Sequence, residues 1–411
     1  MDKLRVRMRA AVVARNCLAA IAVSAAAMGA FAFEAVDDGV YKDRIDWGVT
    51  MDLSGANSPQ HLAYTAGLKD YILKVNESGG IGGRKINLLI EDDRGDPALM
   101  RAAYEKFVNQ TPVLGMSGFG SSSGQAALMP TVRRGKVPIV AAFVTTAAAL
   151  EPPTPMFYGG FCGFKSIAQV GVGYFSDLLK VKSPKVAVVY LDVGSGKDFL
   201  NLAEAEVAKR GGTSKGIAVK LGAADATAQV LEIQNMKPDF VLMHGHTPLA
   251  LLMKRTMNQY ALKIPTATIA HIGVPSVYLA LGAGNTSDMY FISCFAPGGS
   301  DDSPGVKEML ATAAKYGHGQ MSEDLSYSAG WFAGHLVAEG VRRAGAEPTR
   351  SKLVSGMNTK LAIDTRGVTS VVSYAPDNKV GTWGLRAYTY DFQAKRFKAF
   401  GTYDDYWKYL K

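Results

Sequence analysis

From Ile45 onward, short runs of β-type residues alternate with stretches whose apolar positions recur at helical spacing. Ile45–Met51 predicts a strand, and His61–Asn76 a helix with Leu62, Ala66, Leu68, Ile72 and Val75 near one face. Ile86–Glu91 predicts the next strand and Pro97–Asn109 the next helix, with Pro97 at a favoured first-turn position. Val113–Ser117 predicts a strand ending in a glycine–serine loop, followed by a helix over Ser123–Arg134 and a strand over Pro138–Ala142.

The alternation resumes at Lys185. Strands are predicted at Lys185–Leu191, Ile217–Val219, Asp239–Met243 and Thr266–Ile269. The helices between and after them are Lys197–Arg210, Asp225–Asn235, Pro248–Gln259 and Pro275–Leu281. Strands alternating with helices imply parallel sheets covered on both faces. The tail departs from this order, with consecutive helices at Ser303–Tyr316 and Tyr327–Ala344 and then a hairpin of Trp383–Phe392 with Arg396–Gly401. It cannot build a third doubly wound unit, so it should complete both blocks, with the chain crossing between them more than once.

Composition narrows the class. The chain has 411 residues, more than one core usually serves, so two lobes are expected. Apolar residues make up 48 % and charged residues 20 %, ordinary for a globular protein. The first residues differ. Lys3, Arg5, Arg7, Arg9 and Arg15 precede an apolar stretch from Cys17 to Phe33, and Ala30-Phe31-Ala32 has the small-x-small pattern of a cleavage site. Residues 1–32 therefore read as a secretory signal cleaved near Ala32, with a periplasmic destination. A membrane anchor is the alternative, but about 16 apolar residues fall short of the roughly 20 needed to span. The signal carries five basic residues and one acid, so the formal charge of +9 drops to +5 without it. That balance does not suggest nucleic acid and favours anionic ligands only weakly.

Four loops carry candidate chemistry. Gly118–Gln125 follows a buried-type strand and opens a helix, and its Ser121, Ser122 and Ser123 could hold an anion with hydroxyls and first-turn amides. An ordinary serine N-cap is the plainer alternative. Gly120–Gly124 also matches the G-x-S-x-G nucleophile elbow, which would make Ser122 the nucleophile of an exported serine hydrolase, with a histidine among His244, His246, His271, His318 and His335. Three small fixed positions arise easily by chance among 44 glycines. Phe143–Ala147 supplies Phe143, Thr145 and Thr146 at another strand end, and the segments around His244, His246, Thr247 and His271 occupy equivalent edges of the second block. No metal site is expected, because His244 and His246 lack a nearby third ligand in sequence, and no cofactor is expected. The glycines of Ser78–Gly83 lie after a helix and before a strand, the reverse of a dinucleotide fingerprint.

Leu53-Ser54-Gly55, Asn76–Gly83, Glu91–Pro97 and Gly120–Ser123, in that order and spacing, resemble the leucine/isoleucine/valine-type periplasmic binding proteins of ABC importers, from about Arg44 to about Phe400. The resemblance implies an α/β fold of two doubly wound parallel-sheet lobes joined by three hinge crossings, with the solute in the cleft. It implies one lobe from residues 44–161 with 296–372 and the other from 162–295 with 373–411. The crossings would fall near Phe161-Cys162, Ser293-Cys294 and Val371–Tyr374, leaving Cys162 and Cys294 either disulfide-bonded, if their Cα atoms come within about 7 Å, or free buried thiols. It implies a solute receptor rather than an enzyme, monomeric, with inner-membrane permease subunits as partners. By that resemblance Ser121, Thr145 and Thr146 hold the solute's carboxylate. The second lobe departs from the pattern: Asp192–Gly196 lacks an expected aromatic residue, His246-Thr247 stands where a second belongs, and His271 stands roughly where an acid belongs. A buried ammonium without a carboxylate partner costs several kcal/mol in order of magnitude. A small carboxylate, aromatic included, is therefore favoured over a branched-chain or other amino acid, with Phe143, Phe119 or Tyr327 as ring contacts and Gln60 counted among the ligand-binding residues. A sensor or regulator domain is a third class, opposed by the signal sequence.

Overall fold

The computed structural model describes residues 38–143, 154–359 and 361–410. The first sheet is built from β1 (Arg44–Met51), β2 (Lys85–Asp92), β3 (Met116–Gly118), β4 (Ile139–Ala142) and β5 (Phe157–Gly159), all parallel, in the order β2-β1-β3-β4-β5. Helices α1 (Ser58–Glu77), α2 (Pro97–Asn109) and α3 (Ser122–Arg134) connect its strands. Every residue of β1 after Arg44 is buried, as a strand covered on both faces requires. Its Trp47 donates from Nε1 to Ser117 Oγ at 2.9 Å, and Ser117 in turn donates to the Val140 carbonyl, which locks β1, β3 and β4 in register.

The second sheet repeats the pattern. It contains β6 (Lys185–Leu191), β7 (Thr213–Val219), β8 (Phe240–Met243), β9 (Thr266–Ile269) and β10 (Met289–Ser293) in the order β7-β6-β8-β9-β10. Its helices are α4 (Phe164–Leu179), α5 (Gly194–Lys209), α6 (Thr227–Met236), α7 (Thr247–Gln259), α8 (Pro275–Leu281) and the single turn α9 (Ala283–Thr286). The tail contributes α10 (Pro304–Lys315), α11 (Leu325–Ala344) and α12 (Arg350–Met357) to the first lobe. Helices α1 and α11 cross so closely that a Cβ on Gly67 would lie 2.2 Å from the Tyr327 carbonyl, and one on Gly330 would lie 1.9 Å from that of Tyr64.

Three passages join the lobes. The first runs through Gly160–Gly163 into α4, and the second through Cys294–Ala296, where Ala296 N–H donates to the Val368 carbonyl at 2.7 Å. Cys162 and Cys294 are disulfide-bonded across these two passages, with Cα atoms 6.0 Å apart. The third passage lies later than Val371–Tyr374. Strands β11 (Leu361–Ile363), β12 (Val372–Ala375) and β13 (Asn378–Thr382) form a small antiparallel sheet, and Tyr374 Oη donates to the Gly159 carbonyl of the first lobe. The chain leaves that lobe through Trp383–Leu385. It then enters β14 (Arg386–Asp391), which pairs antiparallel with β10 and forms a hairpin with β15 (Arg396–Phe400). The reason is local: a bulge between Ser373 and Ala375 and the turn before Asn378 fold β12 back on β13 instead of letting it run on.

Among the described residues, no helix is long and apolar enough to cross a membrane. The signal read at residues 1–32 lies outside them.

Candidate functional site

In an open parallel sheet the strand order reverses at one point, and the crevice beyond the strands' carboxyl ends at that point accepts ligands. The first sheet reverses between β1 and β3, and the second between β6 and β8. The two reversals face each other across one cleft of about 600 Å³. Its first wall includes Asn57, Gln60, His61, Ser121–Ser123 and Phe143; its second includes Phe164, Val193–Ser195, His244, His246 and His271.

The motifs of the first lobe shape that rim. Asp92 accepts from Leu53 N–H (2.8 Å) and Ser54 Oγ (2.6 Å), and Asp93 accepts from Thr50 Oγ1 (2.8 Å) and Gly95 N–H (2.9 Å). Asp52 receives the amides of Gly55 and Asn57, and Asp96 caps α2 through the amides of Ala98 and Leu99. These carboxylates are thus occupied by turns that fix the loops, and they are not free for a solute.

The serine loop opens α3. Ser121 is the N-cap, and its Oγ accepts from Gly124 N–H at 3.1 Å and lies 3.0 Å from Ser123 Oγ. The first-turn amides of Ser122 and Ser123 have no acceptor within the helix, and both residues line the cleft. Helices α1, α3, α5 and α7 all begin at the cleft wall, so four N-terminal dipole ends converge there. Among the described residues, the lining contains no lysine or arginine and one carboxylate, the half-buried Asp198. The polar groups offered here are amides, hydroxyls, histidine rings and helix ends. The elbow geometry expected of a hydrolase is not formed at Ser122. The left-handed residue is Phe119, with φ 60°, while Ser121 is an extended N-cap and Ser122 is already helical.

Four of the six histidines line this cleft. His246 caps α7, its Nδ1 accepting from Leu249 N–H at 3.3 Å. His61 and His244 are buried, and His271 is half-buried between Phe161, stacked at 4.6 Å, and Phe143, edge-on at 5.8 Å. His61 meets Phe143 edge-on at 5.4 Å, and His244 meets Phe164 edge-on at 5.1 Å. Burial pushes His61 down to about 4, against the opposing pull of Asp52. It pushes His244 to about 3 and His271 to about 4, helped by neighbouring histidines. All three are neutral at pH 7.

Of the residues read from sequence, the structure brings Gln60, Ser121, Ser122, Ser123, Phe143, His246 and His271 together on the cleft wall. Thr145 and Thr146 lie outside the described residues. Thr247 begins α7 but is not part of the wall. Tyr327 does not reach the cleft: it is fully buried where α11 meets α1, and its hydroxyl donates to Asp70 at 2.6 Å. Phe119 is likewise buried in the first lobe's core. Sequence reasoning missed His61 and Phe164. In sequence His61 has the marks of an ordinary helix start, and Phe164 opens a helix whose signal is the run of apolar positions after Gly163.

Two open sheets with facing reversals, strapped by three passages around a single cleft, define a two-lobed solute receptor. A model of the periplasmic binding protein family matches residues 45–391, and the chain belongs to that family. It is a solute-binding protein, and the family places it in the periplasm. Its fold is similar to a fatty acid ABC transporter substrate-binding protein from Thermomonospora curvata (TM-score 0.78, 20 % identity, 89 % of this chain and 93 % of that one). It is also similar to a branched-chain amino acid ABC transporter protein from Thermus thermophilus solved with valine (TM-score 0.78, 17 % identity, 88 % and 96 %). A third is a solute-binding protein from R. palustris solved with 4-hydroxybenzoate (TM-score 0.73, 17 % identity, 88 % and 96 %).

Proposed function

We propose that this protein is the receptor of an ABC importer and captures a small organic carboxylate, aromatic acids included, between its lobes. The observation that supports this reading is the α3 N-terminus, whose first-turn residues Ser122 and Ser123 and paired Ser121 and Ser123 hydroxyls line a cleft that has no basic side chain among the described residues. Phe143 and Phe164 offer apolar faces from the two walls. The solute is bound and released unchanged to permease subunits in the inner membrane, and the receptor acts as a monomer, exported with cleavage near Ala32. The solved 4-hydroxybenzoate complex among the similar folds agrees with an acid ligand.

A branched-chain amino acid is the second reading, and Asp198 is its support, as the one lining carboxylate among the described residues able to meet an ammonium. A thermal-shift screen against aliphatic and aromatic acids, leucine and valine separates the two. The acids should raise the melting temperature while leucine and valine leave it unchanged. The reverse pattern overturns the carboxylate reading.

A further inference from the structure

The cleft holds three histidine ring nitrogens for which the described residues supply no partner, although the rings of His61 and His244 also feel main-chain hydrogen bonds at Asp52 and at His244 itself. Nδ1 of His61, of His244 and of His271 are each shielded from solvent and have no hydrogen-bond partner among the described residues. His61 and His244 are 2 % and 4 % exposed. One comes from the first lobe and two from the second, and all three residues line the same cavity. Leaving such a group unpaired is unfavourable, so three together are a standing penalty that a fitting solute would relieve.

The chemistry of that solute group follows from the rings and their surroundings. A neutral imidazole has one donor and one acceptor nitrogen, and which is which depends on the partner. A carboxylate only accepts and an ammonium only donates. A hydroxyl does both, so it satisfies these nitrogens in either tautomer. An ammonium would also need a counter-charge, and the carboxylate that His61 feels, Asp52, is already occupied by the amides of Gly55 and Asn57. Phe143, Phe161 and Phe164 surround the histidines edge-on or stacked, so the space between them suits a flat apolar body carrying one uncharged polar group.

We propose that His61, His244 and His271 form a recognition site for a hydroxyl, so that the solute is a hydroxylated carboxylate with its acid group at the α3 N-terminus and its hydroxyl among the three rings. This rests on the carboxylate reading above and adds its second pole. A pocket built to bond a hydroxyl discriminates strongly against the analogue that lacks it, whereas one that merely tolerates it does not.

The test is isothermal titration of the ligand-stripped protein with two matched pairs, benzoate against 4-hydroxybenzoate and hexanoate against 6-hydroxyhexanoate. On the scaffold that binds, the hydroxylated acid should bind at least tenfold tighter. His244→Phe and His271→Phe, which keep a ring and remove the nitrogens, should erase that ratio while the plain acid still binds. Equal affinity within each pair in the unmutated protein overturns the hydroxyl site and leaves the carboxylate reading standing, with water as the partner of the rings. A ratio that survives both substitutions in folded protein also overturns it. Absence of binding by all four acids overturns the carboxylate reading and this inference with it. The comparison on the unmutated protein decides even if a variant fails to fold.

Discussion

Gln60 of the first lobe donates from Nε2 to the main-chain carbonyl of His271 in the second at 2.8 Å, directly across the cleft. It is a side-chain hydrogen bond that exists only when the walls are this close, so it favours the closed arrangement that a receptor adopts around its solute. A neutral hydrogen bond contributes about 0.5–1.5 kcal/mol. Gln60→Ala should therefore weaken solute binding roughly three- to tenfold by titration calorimetry, with no change in the melting temperature of the solute-free protein. Unchanged affinity would show that the bond does not contribute to closure.

Gly120 is the point at which the serine loop touches a histidine. A Cβ there would sit 2.4 Å from Cε1 of His61 and 2.6 Å from its Nε2. Gly120→Ala should push His61 off its place, costing about 1–3 kcal/mol of stability as an overpacked site does. Urea unfolding should show the loss, and solute affinity should fall with it. An alanine variant as stable and as tight-binding as the parent would mean that His61 is free to move aside.

The Cys162–Cys294 bond closes a loop spanning a sequence separation of 132 and ties two of the three inter-lobe passages. Loop-closure entropy alone gives a long cross-link up to roughly 5 kcal/mol. The double variant Cys162→Ser, Cys294→Ser, or the parent under reductant, should melt at clearly lower temperature by calorimetry. Reduction without effect on melting would contradict a strap at the hinge.

Acid should destabilise the fold as the unfolded chain's histidines take up protons that the folded chain refuses. His61, His271 and His335 are held at about 4 and His244 at about 3, all by burial, against about 6.5 when unfolded. The folded chain thus binds fewer protons than the unfolded one between those limits. Their contribution is complete above pH 6.5 and is lost as the pH falls toward 4, at up to about 1.4 kcal/mol per pH unit for each. Asp324, raised to about 6, and Asp93, also raised, both by burial, work in the opposite direction. Melting temperature should fall from pH 7 to pH 4.5, and His244→Phe should flatten the slope. A flat or rising profile would mean that these rings are charged or solvated in the fold.

Much of the frame was legible because parallel strands bury both faces and read as apolar runs. Lys185–Leu191, Thr266–Ile269 and Pro97–Asn109 lie where the pattern placed them. What escaped was short or atypically marked. The three-residue strand Phe157–Gly159 has no length to show a period, and Phe164–Leu179 is apolar around much of its girth, so it lacks a polar stripe. The small sheet of β11–β13 depends on pairing across sequence that local pattern does not encode. Within the site, the serine loop announced itself by its position between a strand and a helix. His61 did not, since its role depends on Gly120 and Phe143 arriving from elsewhere in the chain. Tyr327 misled for the same reason in reverse, because Asp70, its buried partner, lies 257 positions away.

A crystal structure of the protein with its co-purified solute tests the central claim most directly. A carboxylate should lie within hydrogen-bonding distance of the Ser122 and Ser123 amides, with the rest of the solute between Phe143 and Phe164. A solute bound outside the cleft, or one presenting no acid group to the start of α3, would contradict it.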